Sequence, residues 1–507
     1  MTTGRPREAK KAGYAALVEM LDLDVITNWH ESTVAATGTH RVVRKGDIIQ
    51  EVYPQGYWPG ETVGDHLEFA LKYDGVNLSI LARVFRVAGV EPISAYVRSK
   101  PTGKYARRIW YLYEFLVGER IPVDDLKSSN YVDLLEGSEY YTSNRPRKVS
   151  RQRINENLLG DRDFCPIVRR TDGLRRLETA ALDQRCRQIV SSYSAQLLKR
   201  ALAYLYTKET KSSFEIERIT PGTSRTERFV ALLKSAEREE SLEKSRLIEL
   251  QNQIVDPRFA ESDYRTTQNY VGETVAWRQE RVHYACPKPD DVPALMAGLL
   301  AAHRCMRDTA VHPVVHAAVT AYGFVFIHPF EDGNGRIHRL LIHSILARRG
   351  FTPDGVIFPV SAAMMRNRTA YDASLEAFSR PLMSLVEFTL DDEGRMTVHN
   401  ETRDRYRYID MTAQVEALFS FVEATIDTEL VDELRFLATY DRTKAEIQSI
   451  VDMPDRQIDL FIRLCVQNNG RLSEQKHRSH FASLTDDEVA RLENVIRAAH
   501  GESADAR

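Results

Sequence analysis

The sequence lacks several features that would place it in a membrane or in an oxidising compartment. It has no run of about 18 apolar residues and no apolar segment near its N-terminus, which excludes a transmembrane helix and a signal peptide. Its five cysteines are scattered and show no C-x-x-C spacing, so neither a disulfide framework nor a structural zinc site is expected. The net charge of −3 gives no overall attraction to nucleic acid or lipid. These absences predict a cytoplasmic protein.

The chain also lacks the G-x-x-x-x-G-K-[ST] pattern, which excludes a P-loop enzyme. With 507 residues, the chain is longer than one hydrophobic core usually supports. Apolar residues recur mostly at three- and four-residue spacing, which predicts a predominantly α protein. Changes in composition predict an N-terminal mixed and helical domain of unknown role (1–136), a polar connector (137–171), a helical core (172–380) and a C-terminal helical module (381–507). For the last module, a target-binding appendage and a winged-helix-like fold are both open.

One segment carries most of the chemistry, and it reads His328-Pro-Phe-Glu-Asp-Gly-Asn-Gly-Arg-Ile-His-Arg339. Pro329 disfavours helical geometry at the residue before it, so we expect His328 at the end of a helix. A histidine there can accept a proton from a hydroxyl near neutral pH. Phe330 is interpreted as the anchor that holds the loop against the core.

The rest of this segment suits the binding of phosphates. Its glycines permit a tight turn with exposed N–H groups at the start of the next helix, and such a helix N-terminus attracts anions. Asp332 is a hard oxygen ligand of the kind that Mg²⁺ accepts alongside phosphate oxygens. Arg336 and Arg339 are three residues apart, so both would lie on one helix face and neutralise phosphate charge. The predicted anion-binding turn consists of Gly333, Asn334 and Gly335.

The motif His-Pro-Phe-x-Asp-Gly-Asn-Gly-Arg-x-x-Arg resembles the signature of the Fic-domain family at every fixed position. The resemblance extends over about Leu174–Phe378 and includes Gln268-Asn-Tyr-Val-Gly272. It implies a helical core with a β-hairpin flap. It also implies transfer of AMP from ATP to a Ser, Thr or Tyr hydroxyl of a protein, with release of pyrophosphate.

The same resemblance implies a role for each residue of the motif. His328 would be the general base, and Asp332 would hold Mg²⁺ or Mn²⁺ at the phosphates of the co-substrate ATP. The turn would form the anion hole, with Asn334 on the α-phosphate. Arg336 would bind the β-phosphate and Arg339 the γ-phosphate. The family's flap, which aligns the target by strand addition, would include Tyr270, Val271, Gly272 and Tyr284.

A second family element is expected upstream, in a helix near residues 211–218. Many members of the family carry an inhibitory helix of pattern Ser/Thr-x-x-x-Glu-Gly/Asn, which Ser213-Phe-Glu-Ile-Glu217 resembles. This likeness implies that Glu217 pairs with Arg339 and displaces the γ-phosphate. Arg218 stands where Gly or Asn is usual, and we expect it to compete for Glu217.

Other functions remain open at this level. The same core could use another nucleotide donor, transfer a phosphoryl group or remove AMP. A different class of protein, a DNA-binding or partner-binding regulator, is suggested by a basic cluster near the N-terminus. The expected partners are ATP and an unidentified protein target, and self-modification is expected as well. No membrane association is expected, and a homo-oligomer is left open. The basic cluster consists of Arg98, Lys100, Lys104, Arg107 and Arg108.

Overall fold

The computed structural model describes residues 9–46, 48–235, 242–276 and 279–504. Most of these residues are helical, and their strands form four small sheets, so the predicted predominantly α fold is confirmed. None of the described helices is both long and apolar enough to cross a membrane. Two large hydrophobic clusters and two smaller ones divide the buried side chains.

The N-terminal region combines a sheet with a group of helices. The sheet has the order β1-β2-β4-β3, with β2 and β4 parallel and the other pairs antiparallel. The helices after the sheet bury Trp110 and other large side chains in a cluster of their own. The elements are β1 (Lys10–Ala12), α1 (Gly13–Met20), β2 (His30–Ala35), β3 (Arg41–Lys45), β4 (Ile48–Pro54), α2 (Val63–Phe69), α3 (Leu78–Ala88), α4 (Val90–Ser99) and α5 (Lys104–Val117).

The basic cluster predicted in this region is partly buried. Arg107 and Arg108 are buried, and Arg107 donates to the backbone carbonyls of Gln152 and Asn130. Arg108 and Lys104 both pair with Glu136. These contacts argue against the nucleic-acid interpretation, because Arg107 and Arg108 hold neighbouring loops together and leave only Arg98, Lys100 and Lys104 exposed.

Residues 137–171, predicted as a polar connector, contain strands and buried side chains. A three-stranded sheet of order β5-β7-β6 crosses into this segment, formed by β5 (Val132–Asp133), β6 (Arg147–Val149) and β7 (Ile154–Glu156). Apolar side chains of residues 137–171 enter both large clusters. Phe164 is fully buried, and a Cβ at Gly298 would lie 2.5 Å from its backbone nitrogen. Because the segment is rich in polar residues, its sequence did not indicate that Phe164 faces inward.

The largest hydrophobic cluster surrounds helix α12, which is buried on nearly all sides. A two-stranded antiparallel hairpin, β8 with β9, lies beside this core. The elements are α6 (Asp172–Thr179), α7 (Leu182–Ser191), α8 (Ala195–Ile216), α9 (Thr223–Ser235), α10 (Lys244–Ile254), β8 (Tyr270–Ala276), β9 (Gln279–Ala285), α11 (Val292–Arg307), α12 (Pro313–Ile327), α13 (Asn334–Arg348), α14 (Val360–Arg366) and α15 (Arg368–Met383).

The core extends beyond the predicted boundary at residue 380. The hydrophobic cluster around α12 also includes Leu418, Phe419 and Val422 of a later helix. Its last member along the chain is Leu434. The remaining helices form a small cluster around Phe461. Within described residues 431–504 no strand occurs, whereas a winged-helix fold requires one. The elements are β10 (Phe388–Leu390), β11 (Met396–Val398), α16 (Arg403–Arg407), α17 (Thr412–Ala424), α18 (Val431–Ile450), α19 (Asp455–Gln467), α20 (Glu474–His480) and α21 (Asp486–Ala504).

Candidate active site

His328 caps the C-terminus of α12 in the left-handed conformation, with φ 53° and ψ 60°. Its Nδ1 lies 3.1 Å from the carbonyl oxygen of Val325, which can only accept a hydrogen bond. The proton of the neutral ring is therefore assigned to Nδ1, and the lone pair to Nε2. Loss of water around the ring lowers the pKa of His328 to about 4, opposed by the bond to Val325. At neutral pH this histidine is a neutral base with a free lone pair on Nε2.

Arg265 holds the backbone of His328 in place, a role that the sequence did not indicate. Its Nε donates to the carbonyl of His328 and its backbone N–H to that of Pro329, both at 2.8 Å. The two Nη atoms bind the carbonyls of Thr267 and Pro287 at 2.7 Å. These last two residues flank the β8–β9 hairpin, so one buried side chain joins the motif to the hairpin. A single arginine in a polar loop carries no sequence pattern that would reveal such contacts.

Phe330 and Asn334 hold the loop closed. The Phe330 ring is fully buried, with ring centroids 5.7 Å from Tyr264 and 6.2 Å from Phe324. The Asn334 side chain accepts from the backbone N–H of Phe330 at 3.0 Å and donates to its carbonyl at 2.7 Å. Both polar ends of the amide are thus engaged within the loop. The expected contact of Asn334 with an α-phosphate stays a prediction, and the backbone N–H is the group available for it because the side chain is engaged within the loop.

The N-terminus of α13 forms a cradle next to this loop. Gly333 precedes the helix with φ 90°, a conformation that favours glycine. The first N–H groups of a helix have no partner inside it, and the helix dipole adds positive charge there. A Cβ at Gly335 would lie 2.5 Å from Glu217 Oε1, so this position must be glycine for a carboxylate to approach so closely. The geometry is suited to an anion, and the Glu217 carboxylate lies beside it.

Glu217 pairs with both arginines of the motif. Its Oε1 lies 2.8 Å from Arg339 Nη2 and its Oε2 lies 2.7 Å from Arg336 Nε. Ser213 adds two contacts to Arg339, since its hydroxyl accepts from Nε at 2.8 Å and its carbonyl from Nη2 at 2.6 Å. Both guanidinium side chains are 2% exposed and Glu217 is 23% exposed. The resemblance implied the pair with Arg339 alone, whereas the carboxylate engages both cations.

Arg218, the residue after Glu217, adopts a backbone conformation that favours Gly or Asn, the residues usual at this position of the pattern. Arg218 has φ 59°, in the left-handed region. Its N–H binds the carbonyl of Glu215 at 2.8 Å, and the N–H of Ile219 binds that of Phe214 at 3.1 Å. These two bonds form a Schellman motif, in which this position favours glycine or asparagine. Within the described part of the chain, the exposed Arg218 makes no ion pair with Glu217, so the expected competition is not observed.

Asp332 lies at the mouth of the cradle with its side chain 52% exposed. Its Oδ1 lies 2.6 Å from both Arg336 Nη2 and the backbone nitrogen of Gly333. Among the residues that the structure describes, no three His, Cys, Asp or Glu side chains come together as a metal site. One carboxylate beside an anion cradle fits Mg²⁺ held largely by phosphate oxygens and water.

The β8–β9 hairpin stands beside the motif. Tyr284 is buried and its hydroxyl donates to the carbonyl of Phe326, which ties the hairpin to the last turn of α12. The pairing shifts register between Val271 and Gly272. A Cβ at Gly272 would lie 2.7 Å from the Arg281 carbonyl, while the Val271 side chain is exposed. Tyr270 packs partly against the main core. Residues 277–278, at the tip, lie outside the described residues.

The region that contains this site is similar to known proteins. Residues 241–346 match the model of the Fic/DOC family. Curated relatives named "Protein adenylyltransferase Fic" include those of Drosophila grimshawi, 33% identical, and Drosophila melanogaster, 32% identical, each over 151 residues. These alignments cover 29% of this chain and 29% and 28% of the relatives, so the chain spans less than a third of their length.

A solved Fic domain containing signaling protein from Bacteroides thetaiotaomicron aligns with 52% of this chain and 97% of its own chain. The two are 19% identical, with a TM-score of 0.38. A Fic family protein from Desulfovibrio desulfuricans aligns with 62% of this chain and 84% of its own, at 20% identity and a TM-score of 0.36.

Proposed function

Since this chain contains a Fic/DOC family domain over residues 241–346, we propose that it is a protein adenylyltransferase. It transfers AMP from ATP to a Ser, Thr or Tyr hydroxyl of a protein and releases pyrophosphate. The observation that carries this proposal is the pairing of a neutral histidine base with an anion cradle in one loop. The relatives named protein adenylyltransferase support the same activity.

In this proposal His328 accepts the proton of the target hydroxyl on Nε2, while Nδ1 keeps its bond to Val325. The hydroxyl oxygen forms a bond to the α-phosphorus, and the bond from that phosphorus to the bridging oxygen of pyrophosphate breaks. A base with a pKa of about 4 is weak in the ground state, but it is fully unprotonated at neutral pH. Positioning and charge stabilisation then supply most of the rate, as is usual for transfer at phosphorus.

The cradle and the arginines bind the phosphates. Backbone N–H groups at the start of α13 receive the α-phosphate oxygens, and Arg336 and Arg339 neutralise the β- and γ-phosphates. Asp332 would hold Mg²⁺ or Mn²⁺, which when bound neutralises phosphate charge. Arg265 keeps the carbonyls of the loop fixed, so that His328 does not move away from the phosphorus.

In the same proposal, Glu217 inhibits the enzyme. Its carboxylate takes the place of a phosphate anion between two buried cations. ATP can then bind only with its terminal phosphates displaced, which misaligns the α-phosphate for attack. Because Glu217 also engages Arg336, inhibition extends to the β-phosphate site as well as to the γ-phosphate site.

Labelled ATP tests the proposal. Glu217→Gly protein incubated with ATP labelled on the α-phosphate should label itself, whereas the same protein with γ-labelled ATP should not. His328→Ala in the Glu217→Gly background is the matched control and should abolish the signal. Transfer of the γ label alone would mean a kinase reaction. Absence of both labels, in folded protein that binds ATP, would contradict nucleotidyl transfer.

The partners follow from the same chemistry. The β8–β9 hairpin has unpaired edges among its described residues, and we propose that a target segment adds to it as a strand. The exposed Val271 offers an apolar contact for that segment. Five free cysteines, four of them buried, support a reducing, cytoplasmic location.

A further inference from the structure

The helix that carries Glu217 is attached to the motif helix at a second place, two turns upstream. Glu209 of α8 is completely buried. Its carboxylate accepts a hydrogen bond from His343 Nε2 of α13 at 2.8 Å and one from the backbone N–H of Ser361 at 2.8 Å. The Ser361 hydroxyl donates a third. A buried carboxylate with three donors is held in one position.

The His343 bond joins α8 to α13, and the two Ser361 bonds join α8 to α14. The two helices run antiparallel, and their facing residues advance by four along α8 while receding by four along α13. Each step is about one helical turn. From the buried end to the site, the facing pairs are Glu209 with His343, Ser213 with Arg339, and Glu217 with Gly335.

The two ends of this row differ in burial. Glu209 has no exposed surface, whereas the Glu217 side chain is 23% exposed. Withdrawing Glu209 would leave a carboxylate in the interior without its donors, which is costly. Withdrawing Glu217 moves a carboxylate that already contacts solvent. The contacts between α8 and α13 are therefore fixed at Glu209 and able to open at Glu217.

We propose that Glu209 is the positioning residue for inhibition. It sets the register of α8 on α13 so that Glu217 faces both arginines. Inhibition is released by movement of the last turn of α8 and of the Glu217 side chain, not by sliding or detachment of the helix. This inference rests on the proposed function, because it concerns the regulation of the same site.

Substitution of Glu209 separates positioning from chemistry. Glu209→Gln keeps the size of the side chain but turns an amide NH₂ toward groups that donate. Labelling from α-labelled ATP should rise at least about fivefold where Glu217 is present, the lower end of usual coupling between sites. It should not rise further in the Glu217→Gly background. Glu215→Gln, the same change at an exposed site on the same helix, is the control and should have no effect.

Other outcomes overturn the proposal. A rise in both backgrounds would mean that Glu209 acts on the reaction itself, and no rise in either would mean that it does not position Glu217. If Glu209→Gln does not fold, Ser361→Ala removes one donor and should raise labelling in the same direction. Calorimetric titration with ATP tests the positioning role of Glu209 separately from the proposed transfer of AMP. Tighter ATP binding by Glu209→Gln would support that role even if Glu217→Gly protein transfers no label.

Hydrogen exchange tests where the helix moves. In Glu217→Gly protein, amides of residues 209–213 should stay as protected as in the unsubstituted protein, while those of residues 215–219 should exchange faster. Uniform loss of protection along α8 would overturn local movement at its end and would indicate detachment of the whole helix.

Discussion

Glu217 and Arg336 form an ion pair, 2.7 Å from Oε2 to Nε, in which the arginine side chain is 2% exposed. The second oxygen of the same carboxylate pairs with Arg339. One carboxylate thus pairs with two cations that have almost no contact with water, and Asp332 supplies Arg336 with a second. The expected consequence is that the site resists opening until another anion replaces the carboxylate.

Loss of this carboxylate should make stability depend on nucleotide. Glu217→Gln leaves two buried guanidinium groups with fewer acceptors, which we expect to cost about 1.5–3 kcal/mol. The midpoint of thermal unfolding should fall in the absence of ATP. Because ATP with Mg²⁺ supplies the missing anion, it should raise the midpoint more in this variant than in the unsubstituted protein. Equal shifts in both proteins would argue against competition between Glu217 and phosphate.

Relief of backbone strain at Arg218 should strengthen inhibition. Arg218→Gly removes the cost of a left-handed residue with a Cβ, about 0.5–1 kcal/mol after allowing for the greater freedom of the unfolded chain. Amide exchange at Ile219 and the basal transfer of AMP should both decrease. Lys211→Gly, an exposed basic residue inside the same helix, should have the opposite effect on helix stability. Increased transfer by Arg218→Gly would assign the arginine side chain an inhibitory role.

The pH dependence should reflect the lowered pKa of His328, about 4. Transfer by Glu217→Gly protein should remain constant down to about pH 5 and decline toward pH 4, whereas an ordinary histidine would lose activity below about 6.5. The unfolded chain binds this proton at a higher pH than the folded chain. The stability contribution of His328 is thus present above about pH 6.5 and is lost as the pH falls toward 4. A half-maximal rate near pH 6.5 would contradict this assignment.

Arg265 should affect turnover more than nucleotide binding. Arg265→Lys keeps a charge, but a single ammonium group cannot donate to the carbonyls of His328, Thr267 and Pro287 in the fixed geometry of a guanidinium. We expect kcat to fall at least about tenfold, since small misplacements of a base are costly, with the KM for ATP nearly unchanged. An increase in KM with an unchanged kcat would assign Arg265 to nucleotide binding instead.

Asp332 should determine the requirement for metal. Asp332→Asn should raise the Mg²⁺ concentration for half-maximal labelling of Glu217→Gly protein, because an amide is a weaker ligand than a carboxylate. Glu331→Gln, the exposed neighbour, tests whether any nearby negative charge has the same effect. Equal shifts for the two variants would indicate general electrostatic attraction of the metal ion.

The sequence predicted the elements whose signals are local. Pro329 predicted the end of α12 at His328, and the glycines predicted the turn before α13. Ser213 and Glu217 marked the helix that reaches Arg339 through their likeness to the family's inhibitory pattern, which is itself a spacing along one helix. These positions depend on backbone preferences and on spacing along one element.

Other contacts could not be predicted because they depend on distant parts of the chain. Arg265 looks like a loop residue until the carbonyls of His328 and Pro287 are seen around it. Phe164 and Phe419 belong to the same hydrophobic cluster as α12, although both lie outside the predicted core of residues 172–380. Arg107 looked like a surface cation until its burial was known.

By itself, the sequence determined the chemical groups of the site and their order along the loop, since a twelve-residue motif holds the base, the turn and both arginines. The tertiary structure decided how those groups are used. It directed the Asn334 amide inward, gave His328 a single unprotonated nitrogen, and set Glu217 between Arg336 and Arg339. The physical reason is that burial and hydrogen-bond partners arise from packing between distant segments, which spacing within one segment does not encode.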